Sequence, residues 1–420
     1  MSETLEATFE RLKNAFGIDL DPSVSNLRKL QNSSILLNGN EDAIAEMLRP
    51  DLLKYNESWS EVEAMLDKIT SKRFREKHKD DFGRGWIYSW HIMDHIGYLS
   101  NPRRKMIGLG AIFEYYRNYL SKLEENKFDE LNWHYHPKPI VQNDLAAATS
   151  YVNSTPDLYN ILCDRLIRFN WFPRVNRPGF HVERPDIHLF LEQWIPFDYA
   201  NQYYEYEEGQ PDFKNGRFGD WRFASSSWRG YHPAHNDYQA KGSCRRMIFR
   251  CLNMGSRLRL LRKEHVEQAF NEAEETGAAI LAFSNHDYRD MSSDVEVVHE
   301  MVSSAKSRYS DVLVLNSSAA QAAIALQQQS DSSPVEFSLT LKENILVVKL
   351  NSGELFGAQP FLAIKDRTDC YYHDNFDIHE YKSSWSYVFD EQTIRLDRVA
   401  EIAVAANSVD GSQCIKRIKL

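Results

Sequence analysis

Strand and helix patterns alternate along the middle of this chain, from residue 85 to about residue 330. The first strand pattern, residues 85–98, is aromatic and β-branched, and the apolar pattern at residues 278–283 directly follows Gly277. Amphipathic helix patterns separate the strands, and such alternation predicts an α/β fold with a mainly parallel sheet. Because active sites of α/β barrels lie at the carboxyl ends of the strands, the residues that follow each strand are the candidates for a site.

Two stretches of different character flank this region. Residues 1–80 predict a helical lead-in, and its clearest helix opens with a capping box in which Ser58 and Glu61 bond to each other's backbone N–H groups. At residues 330–334 the composition changes to that of a linker, and the closely spaced strands beyond it predict a β-sandwich. We therefore expect three units: a lead-in at residues 1–80, an α/β unit at residues 81–330 and a β-sandwich domain at residues 335–420.

Charge and composition narrow the classes of partner. The chain has 50 Lys and Arg against 60 Asp and Glu, and its net charge of -10 argues against nucleic acid or an anionic membrane surface. No run reaches about 18 apolar residues, so no membrane span is expected, and the first residues do not form a secretion signal. Five scattered cysteines without a C-x-x-C pair are typical of a reduced, cytoplasmic protein.

Potential metal ligands follow two neighbouring strand patterns. Asp94 and His95 end the first pattern, and His134 and His136 lie two residues apart in the second. Side chains at positions i and i+2 of a strand point to the same face, so His134 and His136 can present two imidazoles to one point. Since neutral imidazole is the commonest metal ligand, a divalent metal site is expected at this edge of the sheet.

The adjacent residues Asp94 and His95 cannot both reach this metal, because neighbouring residues of a regular strand face opposite ways. We expect Asp94 to complete the ligand set with His134 and His136, since a carboxylate beside two imidazoles is a common hydrolase site. His95 then serves as a base, supports a ligand or points away from the site altogether. In the alternative, Asp94 is the base and His95 completes a three-histidine site.

A long insertion at residues 199–242 is rich in aromatic side chains, which predicts an ordered flap over the site. Trp228, Tyr231 and His232 are its candidate substrate-binding residues, because aromatic rings stack on sugar rings. His232, with His235 and Asp237, also forms a possible second metal site. In the other interpretation, this cluster helps to order the flap.

Five strand-end segments follow one another along the chain: Asp94-His95, His134-Tyr135-His136, Arg177-Pro178-Gly179-Phe180, residues 191–199 and residues 281–287. Their order resembles the polysaccharide deacetylases, carbohydrate esterase family four. The resemblance covers roughly residues 85–330 and implies a distorted, incomplete (β/α) barrel. Two departures concern the ligands: a histidine stands where the family has the second aspartate of an Asp-Asp pair, and the two metal histidines are two residues apart instead of four.

This resemblance implies a metal-dependent deacetylase that hydrolyses an N- or O-acetyl group on a carbohydrate or glycan precursor, with zinc as the expected ion. His286 would protonate the leaving amine, and Asp287 would help to orient His286. Arg177 would hold the acid of the first strand, Asp94, in its ionised form.

Other interpretations stay open. The His286-Asp287 pair is also compatible with a simple turn after a strand, and Arg177 with an ordinary salt bridge. The chain as a whole is compatible with a non-catalytic carbohydrate-binding protein on the same fold, since the second aspartate is missing, or with another metal-dependent hydrolase such as a phosphoesterase.

Overall fold

The computed structural model of the chain describes residues 5–56, 58–95, 109–123, 128–137, 150–205, 219–255, 259–327 and 333–420. Helices cover the start of the chain, helices and parallel strands its middle, and antiparallel strands its end. The helices are α1 Leu5–Phe16, α2 Val24–Gln31, α3 Glu41–Met47, α4 Trp59–Thr70, α5 Lys72–Lys77, α6 Leu109–Ser121, α7 Thr155–Phe169, α8 Pro185–Trp194, α9 Lys263–Thr276, α10 Ser292–Lys306 and α11 Ala319–Gln327.

The capping box predicted at Ser58 is present in the structure. Ser58 Oγ accepts from the backbone N–H of Glu61 at 3.3 Å, and the Glu61 carboxylate accepts from the backbone N–H of Ser58 at 2.9 Å, so α4 starts with the capping box. Helix α9 ends at Gly277, whose φ of 90° is favourable only for a residue without a side chain.

The middle region contains a five-stranded sheet in which every pairing is parallel. Its order, β1-β2-β3-β4-β7, follows the chain, with the hairpin β5-β6 inserted before β7, and a further parallel pair joins β8 to β9. The strands are β1 Ser89–His95, β2 Glu130–His136, β3 Val175–Asn176, β4 Phe197–Asn201, β5 Pro233–Ala234, β6 Asp237–Lys241, β7 Met247–Arg250, β8 Leu252–Asn253 and β9 Phe283–Ser284.

The α/β prediction with a mainly parallel sheet is therefore confirmed, and the described strands do not close into a barrel. The strand predicted at residues 278–283 is shorter than expected, since only β9 is regular there. Residues 312–315 do not form a regular strand. They bond instead to the loop before β1, where Asp81 donates its backbone N–H to the Val314 carbonyl at 3.2 Å.

The two faces of the sheet are covered differently. Along β2, side chains alternate, so Trp133 and Tyr135 point to one face and His134 and His136 to the other. Trp133 and Tyr135 are fully buried in a core with the apolar sides of α7 and α8. That face is closed by large apolar side chains, and the face that carries the histidines is the one left for a site.

Helix α11 covers the beginning of the histidine face. Asn176 pairs in register with Trp133, so its neighbour Val175 lies on the face of the histidines. Val175, Phe197 and Met247, the first residues of β3, β4 and β7, share a core with Ala320 of α11. The amino ends of the strands are therefore filled by a helix, whereas His134 and His136 lie at the carboxyl end of β2.

Residues 333–420 form two antiparallel sheets, as predicted. Inner side chains such as Val348 and Trp385 of one sheet and Ile364 and Val404 of the other share one core, which makes this region a sandwich. Residues 328–332, which overlap the predicted linker at residues 330–334, lie outside the described residues. The strands are β10 Glu336–Lys342, β11 Ile345–Ser352, β12 Phe361–Asp366, β13 Tyr371–Asp374, β14 Asp377–Glu380, β15 Ser384–Val388, β16 Val399–Asn407 and β17 Gln413–Lys419.

The sandwich shares a core with the α/β region. Phe361 of β12 and Ala405 of β16 are completely buried in the same cluster as Leu162 of α7 and Trp194 of α8. The outer face of one β-sheet thus packs on the helices that cover the closed face of the parallel sheet.

Candidate functional site

The structure brings His134 and His136 together at the end of β2. Their Nε2 atoms lie 3.0 Å apart, and their ring centroids lie 4.9 Å apart with an interplanar angle of 73°. Both side chains are half-buried. Two imidazoles of one strand therefore bring their Nε2 atoms to one point, within hydrogen-bond distance of each other.

A backbone carbonyl determines the tautomer of His134. Its Nδ1 lies 2.6 Å from the carbonyl oxygen of Arg177. A carbonyl can only accept, so Nδ1 carries the proton, and Nε2 presents its lone pair toward His136. Histidines that bind metals are commonly held in this way, with one ring nitrogen donating to a carbonyl and the other free to coordinate.

Two further histidines, His91 and His181, lie around this pair and are not among the predicted site residues. Burial lowers the pKa of His91 to about 3, and the charges of Arg177 and His134 add to this effect. Burial likewise lowers the pKa of His181 well below its usual value, with contributions from Arg177 and Arg259. Both imidazoles are therefore neutral at physiological pH.

The local sequence pattern marks one of these two histidines as a site residue but not the other. His91 lies four residues before His95 in β1, so the alternation of the strand was a usable signal. His181 lies in a 3-10 turn after β3, and nothing in the local sequence pattern marks it.

Arg177 lies at the centre of the strand ends. Its buried guanidinium donates to His181 Nδ1 at 3.0 Å, to the Tyr199 carbonyl at 3.2 Å and to Asn253 Oδ1 at 3.1 Å. It also donates to Ser284 Oγ at 2.5 Å. The side chain thus joins the middle of β4 and the carboxyl ends of β8 and β9 to the turn after β3.

The expected contact between Arg177 and Asp94 needs correction. Asp94 pairs in register with Tyr135 and therefore points to the closed face, away from His134. Its partner is Arg165 of α7, whose Nη2 donates to Asp94 Oδ1 at 2.5 Å, and both side chains are buried. Burial raises the pKa of Asp94, while the charge of Arg165 opposes that shift.

Asp94 is accordingly not placed as a third ligand for the two imidazoles. The physical reason is that β1 stays regular through His95. Because side chains alternate along a regular strand, Asp94 faces the closed side of the sheet, opposite to His134 and His136. His95 pairs in register with His136, and its side chain lies outside the described part of the structure.

His286 and Asp287 follow β9, where the sequence predicted a catalytic pair. The hydroxyl of Tyr116, on α6, donates to the carboxylate of Asp287, and Asn56 donates its side-chain amide to the Asp287 carbonyl at 2.8 Å. The ring of His286 packs against Tyr288 with centroids 4.9 Å apart. The charge of His286 also contributes to the lowered pKa of His181.

The expected substrate-binding aromatics, Trp228 and Tyr231, belong to the core. Trp228 is 1% exposed, with the Arg250 guanidinium 4.7 Å above its ring. Tyr231 is 4% exposed, and its hydroxyl donates to the Tyr238 carbonyl at 2.7 Å. Neither ring is available to stack on a sugar, because both are buried in the core.

His232 is exposed but lies away from the histidine pair. It lines a cleft of about 440 Å³ with Cys244, Arg245 and Met247. Met247 begins β7, whereas His136 ends β2, so the cleft and the histidine pair lie at opposite ends of the parallel strands. His232 is therefore not a substrate-binding residue of a site at His136.

Of the residues that the structure describes, His188, Glu192 and Cys244 form the one group of three possible metal ligands whose ligand atoms lie within 4.8 Å of one another. The suggested cluster of His232, His235 and Asp237 is not such a group. Arg246 Nη2 donates to His188 Nδ1 at 2.7 Å, which leaves the proton of the neutral ring on Nε2. Held in this way, His188 has no lone pair to offer a metal.

The same arginine joins a buried group of acids. Arg246 is completely buried and donates to Glu183 at 2.9 Å, to Asp198 at 2.5 Å and to Glu192 at 3.1 Å. Burial raises the pKa of both Glu183 and Asp198, and the charge of Arg246 opposes this shift. One cation faces three carboxylates here, so the group is most stable when a proton stays on the Glu183–Asp198 pair.

Comparisons of the chain with protein-family models, with curated proteins and with solved structures found no match. None of the helices in the described part of the chain combines the length and apolar character that a membrane crossing requires.

Proposed function

We propose that this chain is a metal-dependent hydrolase of the polysaccharide deacetylase type, built on a distorted, incomplete (β/α) barrel. It removes an N- or O-acetyl group from a carbohydrate or glycan precursor and uses a divalent ion such as zinc, held by His134 and His136. One observation supports this most: the Arg177 carbonyl fixes His134 in the tautomer that turns the Nε2 lone pair toward His136, 3.0 Å away.

His95 is the better candidate for a third ligand. It pairs in register with His136, whereas Asp94 pairs with Tyr135 and bonds to Arg165 on the closed face. The three-histidine alternative is therefore favoured over the set with Asp94. In this proposal Asp94 is a structural partner of α7 and not the catalytic base.

When bound, a divalent ion at these imidazoles polarises the acyl oxygen and lowers the pKa of a water molecule. Hydrolysis adds water to the acyl carbon and breaks the bond to the sugar nitrogen or oxygen, so the leaving group needs a proton. His286 is the proposed donor. Arg177 positions it indirectly, because its bond to Ser284 anchors the strand end two residues before His286.

The test is metal analysis of the purified full chain and of single variants. We expect bound metal to be lost in His134→Ala and His136→Ala, reduced in His95→Ala, and kept in Asp94→Ala. His379→Ala, a change at an exposed histidine of β14, is the control and should keep the metal. Metal retained in both His134→Ala and His136→Ala would remove the basis of the proposal.

Activity separates the alternatives. Acetate release from a panel of N-acetylated sugars, nucleotide sugars and lipid-linked precursors is the expected result. Bound metal without acetate release would indicate a carbohydrate-binding protein, and turnover of 4-nitrophenyl phosphate alone would indicate a phosphoesterase.

A further inference from the structure

The turn after β3 holds two consecutive non-glycine residues in the left-handed region. Phe180 has a φ of 55° and His181 a φ of 53°. Side chains other than glycine rarely adopt this conformation, and it persists only when surrounding contacts impose it. Strained backbone of this kind is common at functional sites. We therefore ask which side chains this turn positions.

Two hydrogen bonds from one segment hold the strained turn. The backbone N–H of Gly219 donates to the Phe180 carbonyl at 3.1 Å, and the indole N–H of Trp221 donates to the His181 carbonyl at 2.9 Å. Trp221 is 1% exposed, so its bond is shielded from water. The conformation of His181 is therefore set by residues 40 positions away in the chain.

The strained turn lies directly against the histidine pair. The Phe180 ring packs edge to face on His136 with centroids 4.8 Å apart. Gly179 is so close to His136 that a methyl group there would lie 2.5 Å from its ring. Arg177 contacts both imidazole groups, since its carbonyl accepts from His134 Nδ1 and its guanidinium donates to His181 Nδ1. His181 is thus built into the same site.

Arg177 gives the two histidines opposite tautomers. A guanidinium can only donate, so His181 Nδ1 must accept, and the proton of the neutral ring lies on Nε2. In His134 the carbonyl of the same residue places the proton on Nδ1. One imidazole therefore presents a lone pair and the other an N–H group, and the guanidinium beside His181 disfavours the doubly protonated ring.

We propose that His181 is a further catalytic residue, whose neutral Nε2–H donates a hydrogen bond to the acyl oxygen of the substrate. This inference rests on the proposed hydrolase function. When water adds to the acyl carbon it gives up a proton, and the π electrons of the carbonyl move to the oxygen, which becomes an oxyanion and accepts from His181. When the carbonyl re-forms, the bond to the leaving group breaks and that group takes up a proton. His181 gives up no proton, so it is neutral before and after the reaction.

The first readout does not depend on activity. Nitrogen-15 NMR of the full chain, labelled at histidine, distinguishes protonated from unprotonated ring nitrogens, and the signals absent from His181→Gln identify this residue. We expect Nε2 of His181 to be protonated and Nδ1 to be unprotonated. Protonation at Nδ1 overturns the inference and leaves the hydrolase proposal intact.

The second readout compares two variants on 4-nitrophenyl acetate. His181→Leu removes the donor and should lower kcat about 10²- to 10³-fold, with KM and bound metal unchanged. His181→Gln offers an amide N–H in place of the imidazole N–H and should recover most of that loss. A kcat for His181→Leu within about threefold of the unmodified chain overturns the inference.

The remaining outcomes are also decisive. If His181→Leu does not fold, His181→Gln is compared with His134→Ala, and an equally large loss of kcat in both overturns the donor role. If the unmodified chain releases no nitrophenol or acetate from any substrate tested, the hydrolase proposal and the role of His181 both fail.

Discussion

Replacing Arg246 with methionine is expected to lower the free energy of unfolding by about 3–5 kcal/mol, because removal of one partner from a buried ion pair leaves an uncompensated charge. The Arg246 guanidinium is completely buried and bonds to Glu183, Asp198, Glu192 and His188. Glu183 and Asp198 are also fully buried, so no water replaces the lost bonds. Methionine is of similar length, and the loss therefore reports mainly the missing charge.

The cost of this change should grow with pH. Burial raises the pKa of Glu183 from its usual 4.5 to about 7, so the folded chain holds this proton more tightly than the unfolded chain. The resulting stability is fully present below pH 4.5 and is lost as the pH rises through about 7. Without Arg246 the pKa of Glu183 rises further above about 7. The variant therefore still loses stability with rising pH above about pH 7, where the stability of the unmodified chain no longer falls.

The assay is urea unfolding of the full chain at about pH 5 and about pH 8, followed by tryptophan fluorescence, with the midpoint and slope compared. The control is Arg395→Met, which removes exposed ion pairs with Glu391 and Asp397 and should leave the midpoint unchanged. An Arg246→Met loss that is the same at both pH values, or no larger than the loss in the control, would refute the reasoning.

Three other changes test single features of the fold. Ser58→Ala removes the capping box of α4 and should cost about 1 kcal/mol, seen as a lower thermal midpoint; an unchanged midpoint would contradict the role of the cap. Leu162→Ala leaves a cavity in a fully buried position and should cost about 2–5 kcal/mol in urea unfolding, whereas Leu189→Ala, at a residue 59% exposed, should cost much less; equal losses would contradict the packing. Gly179→Ala places a methyl group 2.5 Å from the ring of His136, so bound metal should fall although neither imidazole is removed; unchanged metal content would show that the ring can shift freely.

The sequence by itself determined the local order of the chain. The alternation of strand and helix predicted the parallel sheet, and the closely spaced strands predicted the antiparallel region. Ser58 and Glu61 marked the start of α4, and Gly277 the end of α9. The spacing of His134 and His136 put them on one face of a strand. These features could be predicted because each depends on residues only a few positions apart.

The tertiary structure decided which side chains meet. The alternation of side chains along a strand predicts that Asp94 and His95 face opposite sides of the sheet. It does not predict which side is closed by helices. Arg165, which holds Asp94, lies 71 residues further along the chain. A sequence pattern does not distinguish an exposed aromatic side chain from a buried one, so only the structure shows that Trp228 and Tyr231 belong to the core.

The candidate site shows most clearly that the sequence does not predict which groups come into contact. The sequence contains His134 and His181, but the tautomer of each depends on whether a carbonyl or a guanidinium of Arg177 lies beside its Nδ1. Those contacts exist only after β2 and β3 pair and the turn with Phe180 is held by Trp221. Hydrogen-bond direction is set by the geometry of groups brought together from distant parts of the chain, and that geometry forms only in the folded protein.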